Sequence, residues 1–281
     1  MLHKLFHPHL WFTFFKYVVY ALLCSNVVLF FQEEWLAANE LFANGMTHTQ
    51  LIEAFAATTD TAAWIVLLLL FELETSVLPD DLLQQRRISI SLHGIRMLCS
   101  VMIVYSFYGY TAKWLNHLNV DAIASQSCAL VGQGWSLIET LDQYVPLTAD
   151  NCSALQGADL FRLSGSQIVS DAETIDAVQE LALVDVLNAG AWILIVIVLE
   201  LDVRLQLHNK LRGAILWTST VSKGCLYVVL LAAAAYWWWL GDFLDFWDAF
   251  LWLIAFVFIE LNLFQWGAEI RRVKAEPIVR A

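Results

Sequence analysis

Six apolar runs, at residues 10–31, 61–78, 94–115, 183–205, 215–240 and 243–266, dominate the sequence. Each is close to the roughly 20 residues that a helix needs to cross a bilayer. In hydrocarbon every backbone N–H and C=O must be satisfied internally, so such runs are restricted to helices. Hydrophobic residues make up 59% of the 281-residue chain and charged ones only 15%, which is membrane composition. The expectation is an all-α, multi-pass protein of six transmembrane helices. The first run is longer than a signal-peptide core, and no A-x-A site precedes Gln32, so it is expected to be retained.

Basic residues set the expected orientation. Lys4, Arg86, Arg87, Arg204, Lys210, Arg212, Arg271, Arg272, Lys274 and Arg280 all fall on one side of this arrangement, and Arg162 lies on the other, with Lys113 near its boundary. The positive-inside rule then places both termini in the cytoplasm and loop 116–181 outside. The net charge of −12 comes largely from the outer segments, and an acidic outer surface excludes nucleic acid as a partner. The expected partners are the lipid bilayer and further membrane subunits, whether copies of this chain or other proteins. Cys128 and Cys152 share the outer loop, where a disulfide can form, while Cys24, Cys99 and Cys225 lie in apolar spans.

One pattern recurs in the second, fourth and sixth runs. DTAAWIVLLLLFELE (60–74), NAGAWILIVIVLELD (188–202) and DAFLWLIAFVFIELN (248–262) each place Asp or Asn four residues before a Trp, and a Glu eight residues after it. The tryptophans are Trp64, Trp192 and Trp252, and the glutamates Glu72, Glu200 and Glu260. On a helix these three positions share one face and span about 18 Å at 1.5 Å per residue. A carboxylate inside a bilayer costs about 2.5–3.5 kcal/mol or more, so three at one register are the natural candidates for an ion or proton site.

Each odd-numbered run carries a basic group near its cytoplasmic end: Lys16, His93 with Arg96, and Lys223. The expected unit is therefore an up-down hairpin occurring three times, with Lys16 opposite Glu72, His93 or Arg96 opposite Glu200, and Lys223 opposite Glu260. The domains expected are a first hairpin (1–92) with an acidic outer loop, a second (93–210) containing the outer cap 116–181, a third (211–270), and a basic tail (271–281).

Simpler readings apply to the same residues. Asp60 and Asp248 suit helix N-caps, Asn188 a hydrogen bond between helices, and the tryptophans interfacial anchors. The glutamates can be structural ion pairs or can snorkel to the inner surface. Hard oxygens at Glu72, Glu74, Glu200, Asp202, Glu260 and Asn262 would suit Ca²⁺ or Mg²⁺ if gathered, but the sequence leaves any metal or cofactor unidentified. There is no HExxH, G-x-S-x-G, Walker loop or glycine-rich dinucleotide turn, so no enzyme motif is present. Two functions follow as expectations: translocation of a small cation or proton through the glutamates, or a non-catalytic structural or assembly subunit of a larger membrane complex.

Overall fold

The structure, a computed structural model, describes residues 8–42, 46–79, 82, 85–208 and 212–256. It is mostly helical. Helices α1 (Pro8–Leu41), α2 (His48–Ala54), α3 (Ala56–Glu72), α4 (Arg86–His117), α5 (Ala172–Leu207) and α6 (Ala214–Leu240) appear in chain order. All but the short α2 are long and apolar enough to cross a membrane, which makes five such helices among the described residues. Residues 243–256 form a further helix, α7; the rest of the sixth expected span, with Glu260, Asn262 and the basic tail, lies outside the described residues.

The expectation of an all-α chain is corrected between α4 and α5. There β1 (Val120–Ile123), β2 (Ser136–Thr140), β3 (Gln143–Pro146), β4 (Leu160–Leu163) and β5 (Ile168–Asp171) build a five-stranded sheet in the order β1-β4-β5-β2-β3. The β2–β5 pairing is parallel and the others are antiparallel. Strand side chains alternate between faces, and the two faces here have different cores. Ile138, Leu163 and Ile168 pack onto α5, α6 and α7 with Val178, Ala234, Trp237 and Ala249. Their neighbours Leu137, Leu160 and Val169 pack outward against Leu130, Leu147 and Leu155. The Cys128–Cys152 disulfide closes that second core.

Helix ends explain how the segments dock. Thr47 and Gln50 form a capping box at α2, satisfying otherwise orphaned N–H groups. Asp171 caps α5 through Thr174 N. The start of α3 has no side-chain cap of its own. Glu34 of α1 supplies it, its two oxygens accepting from Ala57 N at 2.7 Å and Thr58 N at 3.0 Å, which places a negative charge at the positive end of the helix dipole. The other end of α3 relaxes into a π turn, Leu73–Val77, ahead of Pro79. Gly241 at φ 83° ends α6 and admits the tight reversal into α7.

The bundle core gathers Val19 and Leu23 of α1, Ile65 and Leu68 of α3, Trp192 and Ile195 of α5, Leu230 of α6, and Leu251 and Trp252 of α7. Helix α4 lies against α2 and α3 through Gly109. A Cβ at that position would stand 2.7 Å from the Ile52 carbonyl oxygen and 3.0 Å from Ala56 Cβ. Small residues allow this kind of close approach, which drives helix association in lipid. Gly109→Val is therefore expected to lower the thermal unfolding midpoint in detergent or nanodiscs, at an overpacking cost of about 1–3 kcal/mol. An unchanged midpoint would contradict the close contact.

Candidate functional site

A cavity of about 940 Å³ runs along the interior of the bundle between α1, α3, α4, α5, α6 and α7. The three recurring segments meet on it. Asp60, Asn188 and Asp248 line its wall, as do Trp64, Trp192 and Trp252 one helical turn further on. The three tryptophans belong to the bundle core, where Trp192 lies 5.1 Å from Phe256 between ring centroids. They stand between a chamber at the sheet end and a groove at the opposite end.

The chamber is acidic. Glu33 and Glu34 of α1, Asp60 of α3, Asp142 of the β2–β3 turn, Asp185 of α5, and Asp245 and Asp248 of α7 make seven carboxylates lining this end. Lys113 of α4 is the one cation lining it among the described residues. Its ammonium grips both oxygens of Asp142, at 2.5 and 2.6 Å, and forms no ion pair with another chamber carboxylate among the described residues. Asp248 accepts from Asn26 Nδ2 at 2.7 Å, and Glu34 caps α3 as described. Asp60 and Asp248 each lie within reach of the indole four residues on, Trp64 and Trp252. One buried polar atom in the wall, Asn188 Oδ1, closes no hydrogen bond, and the Trp237 indole lies within reach of Asp185. Asp185 and Asn188 line the cavity and are half-buried. Around Asp142, beyond the helices, burial pushes the Tyr144 phenol and the Asp242 carboxyl above their usual ranges, and the charge of Asp142 adds to both.

The groove at the far end carries both signs: His93, Arg96, Glu200 and Arg204 line it with Ser100, Val196 and Ile197. Here the expected Lys16–Glu72 pair forms, whereas Glu200 does not meet the basic groups expected opposite it. Glu72 is buried at 4% exposure, receives Lys16 Nζ at 2.5 Å and has Tyr20 Oη at 3.5 Å. Arg96 does not meet Glu200; it pairs with Glu74 at 2.7 Å. Glu200 is exposed and pairs along its own helix with Arg204 at 2.8 Å, the i,i+4 spacing that brings side chains together. His93 bonds the Ser89 carbonyl. Lys223 meets Asp202 at 2.7 Å, with Ser219 on the same oxygen, while Glu260 lies outside the described residues. Glu72 and Glu200 therefore do not share a site, and no group of three or more His, Cys, Asp or Glu side chains among the described residues is arranged to hold a metal.

The N-cap reading of Asp60 and Asp248 is corrected as well. Helix α3 begins at Ala56 and α7 at residue 243, so both aspartates lie inside their helices and face the cavity. The missed members are Glu33, Glu34, Lys113, Asp142, Asp185 and Asp245. Apart from Asp142 in the outer loop, their signal was present as charge within or beside apolar runs, but only Asp60, Asn188 and Asp248 recur in a pattern. No protein-family model, curated protein or solved structure matches the chain.

The buried Lys16–Glu72 pair ties α1 to α3. Removing one partner of such a pair strands the other charge, at about 3–5 kcal/mol, whereas replacing both by apolar groups is often neutral. Lys16→Met is expected to destabilise the protein strongly and Lys16→Met with Glu72→Leu to recover most of the loss, read by thermal unfolding. Equal losses in both would show that the pair is not what holds these helices.

Proposed function

We propose that the protein carries a positively charged solute across the membrane, and that the acidic chamber, not the glutamate row, is where that solute is held. The supporting observation is the charge imbalance: seven carboxylates and one lysine line a single chamber inside an apolar bundle. Intramembrane ionisable groups of this kind mark ion and substrate pathways. A carboxyl group enclosed without counter-charge is neutralised by a proton or by a bound cation, so the chamber favours positive charge over anions.

The cavity's length supports translocation over simple binding. It continues past Trp64, Trp192 and Trp252 to the groove with His93, Arg96, Glu200 and Arg204. In this reading the sheet caps the outer end, the termini are cytoplasmic, six spans form three hairpins, and the indoles separate an outward chamber from an inward groove. The basic residues of the connecting segments agree with that orientation. The protein then works without catalysing a reaction.

Purified full-length protein in liposomes tests this. With an inside-negative potential, uptake of at least one of H⁺, Na⁺, K⁺, Ca²⁺ or n-butylammonium is expected. It should fall at least about tenfold, equivalent to 1.4 kcal/mol, in Asp60→Asn with Asp248→Asn. Absence of uptake for every one of these ions, or uptake indifferent to the two changes, would overturn the proposal.

A further inference from the structure

The size of the cavity and the chemistry of its wall narrow the kind of cation it suits. At about 940 Å³ it lies in the range of about 300–1,000 Å³ in which organic ligands are enclosed, far more than a dehydrated inorganic ion fills. Small inorganic cations are held by converging oxygens at fixed short distance, and no metal-holding group is arranged among the described residues. The wall instead alternates carboxylates with large aromatic faces. Asp60 and Asp248 stand one turn from Trp64 and Trp252, and Asn188 one turn from Trp192. Indole is the strongest aromatic partner for an ammonium group.

One unpartnered polar atom adds to this. Asn188 Oδ1 is a buried acceptor with no donor. Buried polar groups are nearly always satisfied, so it suits a guest that donates hydrogen bonds, as an ammonium does. Asp248 is held from behind: Asn26 fixes it from α1, leaving the carboxylate placed before a ligand arrives. Preorganisation of this kind lowers the cost of binding.

We infer that the chamber selects an organic ammonium ion, its charged head among Asp60, Asn188 and Asp248 and its apolar body against Trp64, Trp192 and Trp252. This inference rests on the cation-carrying reading above. It differs from that reading in requiring both a positive charge and an apolar body in one solute.

Calorimetric titration of the full chain in nanodiscs separates the two. The probes are n-butylammonium and spermidine, with K⁺ lacking the apolar body and n-butanol lacking the charge. Both amines are expected to bind at least about tenfold more tightly than either control, and Trp252→Leu to weaken the amines about tenfold while Trp252→Phe keeps most of the affinity. The comparison among ligands uses the unaltered protein, so it stands even if a tryptophan variant fails to fold. Failure of both amines to bind, or K⁺ or n-butanol binding as well as n-butylammonium, overturns the assignment. Aspartate-dependent K⁺ uptake without amine binding would sink the ammonium assignment and leave the cation-carrying reading in place. Amine binding with no uptake of any ion would do the reverse.

Discussion

Carboxylates enclosed by an apolar bundle are the constraint on which this structure turns. Each must be bonded, paired or reached by positive charge, because desolvated negative charge is far more costly inside protein than in water. At the far end of the bundle the requirement is met internally: Lys16 answers Glu72, Arg96 answers Glu74 and Lys223 answers Asp202. These pairs fasten α1 to α3, α3 to α4, and α5 to α6. At the sheet end it is met only in part. Backbone N–H groups take Glu34, Asn26 takes Asp248, and Lys113 takes Asp142. What remains is a chamber with seven carboxyl groups and one lysine, and the proposed function rests on that imbalance.

The sheet belongs to the same arrangement. Its inward face is packed onto α5, α6 and α7 through Ile138, Leu163 and Ile168, and its β2–β3 turn delivers Asp142 to Lys113. Two further bonds, Gln143 to Glu33 and Ser136 to Glu40, tie it to α1. The bundle therefore has a lid of β structure stapled by a disulfide on its outward side. Because the lid carries one of the chamber's own acids, its position and the charge of the chamber are linked.

Long apolar periods were the most legible part of the sequence. Residues 61–78, 94–115, 183–205 and 215–240 all fall within the helical stretches of α3 and its π turn, α4, α5 and α6, apart from the last residue of the first, since nothing but a helix satisfies such a run in lipid. The Asp/Asn–Trp–Glu pattern marks three segments whose Asp or Asn and Trp positions line one cavity. Glu72 meets Lys16 as the hairpin pairing expects, while Glu200 is exposed and pairs along its own helix. Asp60 and Asp248 read as N-caps from the apolar runs alone, because α3 and α7 begin earlier than those runs imply. The sheet was hidden by short strands of four or five residues, too brief for a clear period. Its turn signals were nonetheless present: Ser164-Gly165-Ser166 between β4 and β5, with Gly165 at φ 80°, is the kind of break that joins two strands. Lys113, Asp185 and Asp245 could not be grouped from sequence at all, because they come together only through packing of α4, α5 and α7.

The central claim is that a water-reachable, cation-attracting chamber exists around Asn188. Modification of Asn188→Cys tests it with every carboxylate kept, in a background where Cys24, Cys99 and Cys225 are alanine. The rates of a trimethylammonium and a sulfonate methanethiosulfonate, applied to proteoliposomes, are the quantities to compare. Focusing of charge in a narrow cleft predicts that the cationic reagent reacts at least about tenfold faster. Equal rates, a faster anionic reagent, or no reaction with either would contradict the account.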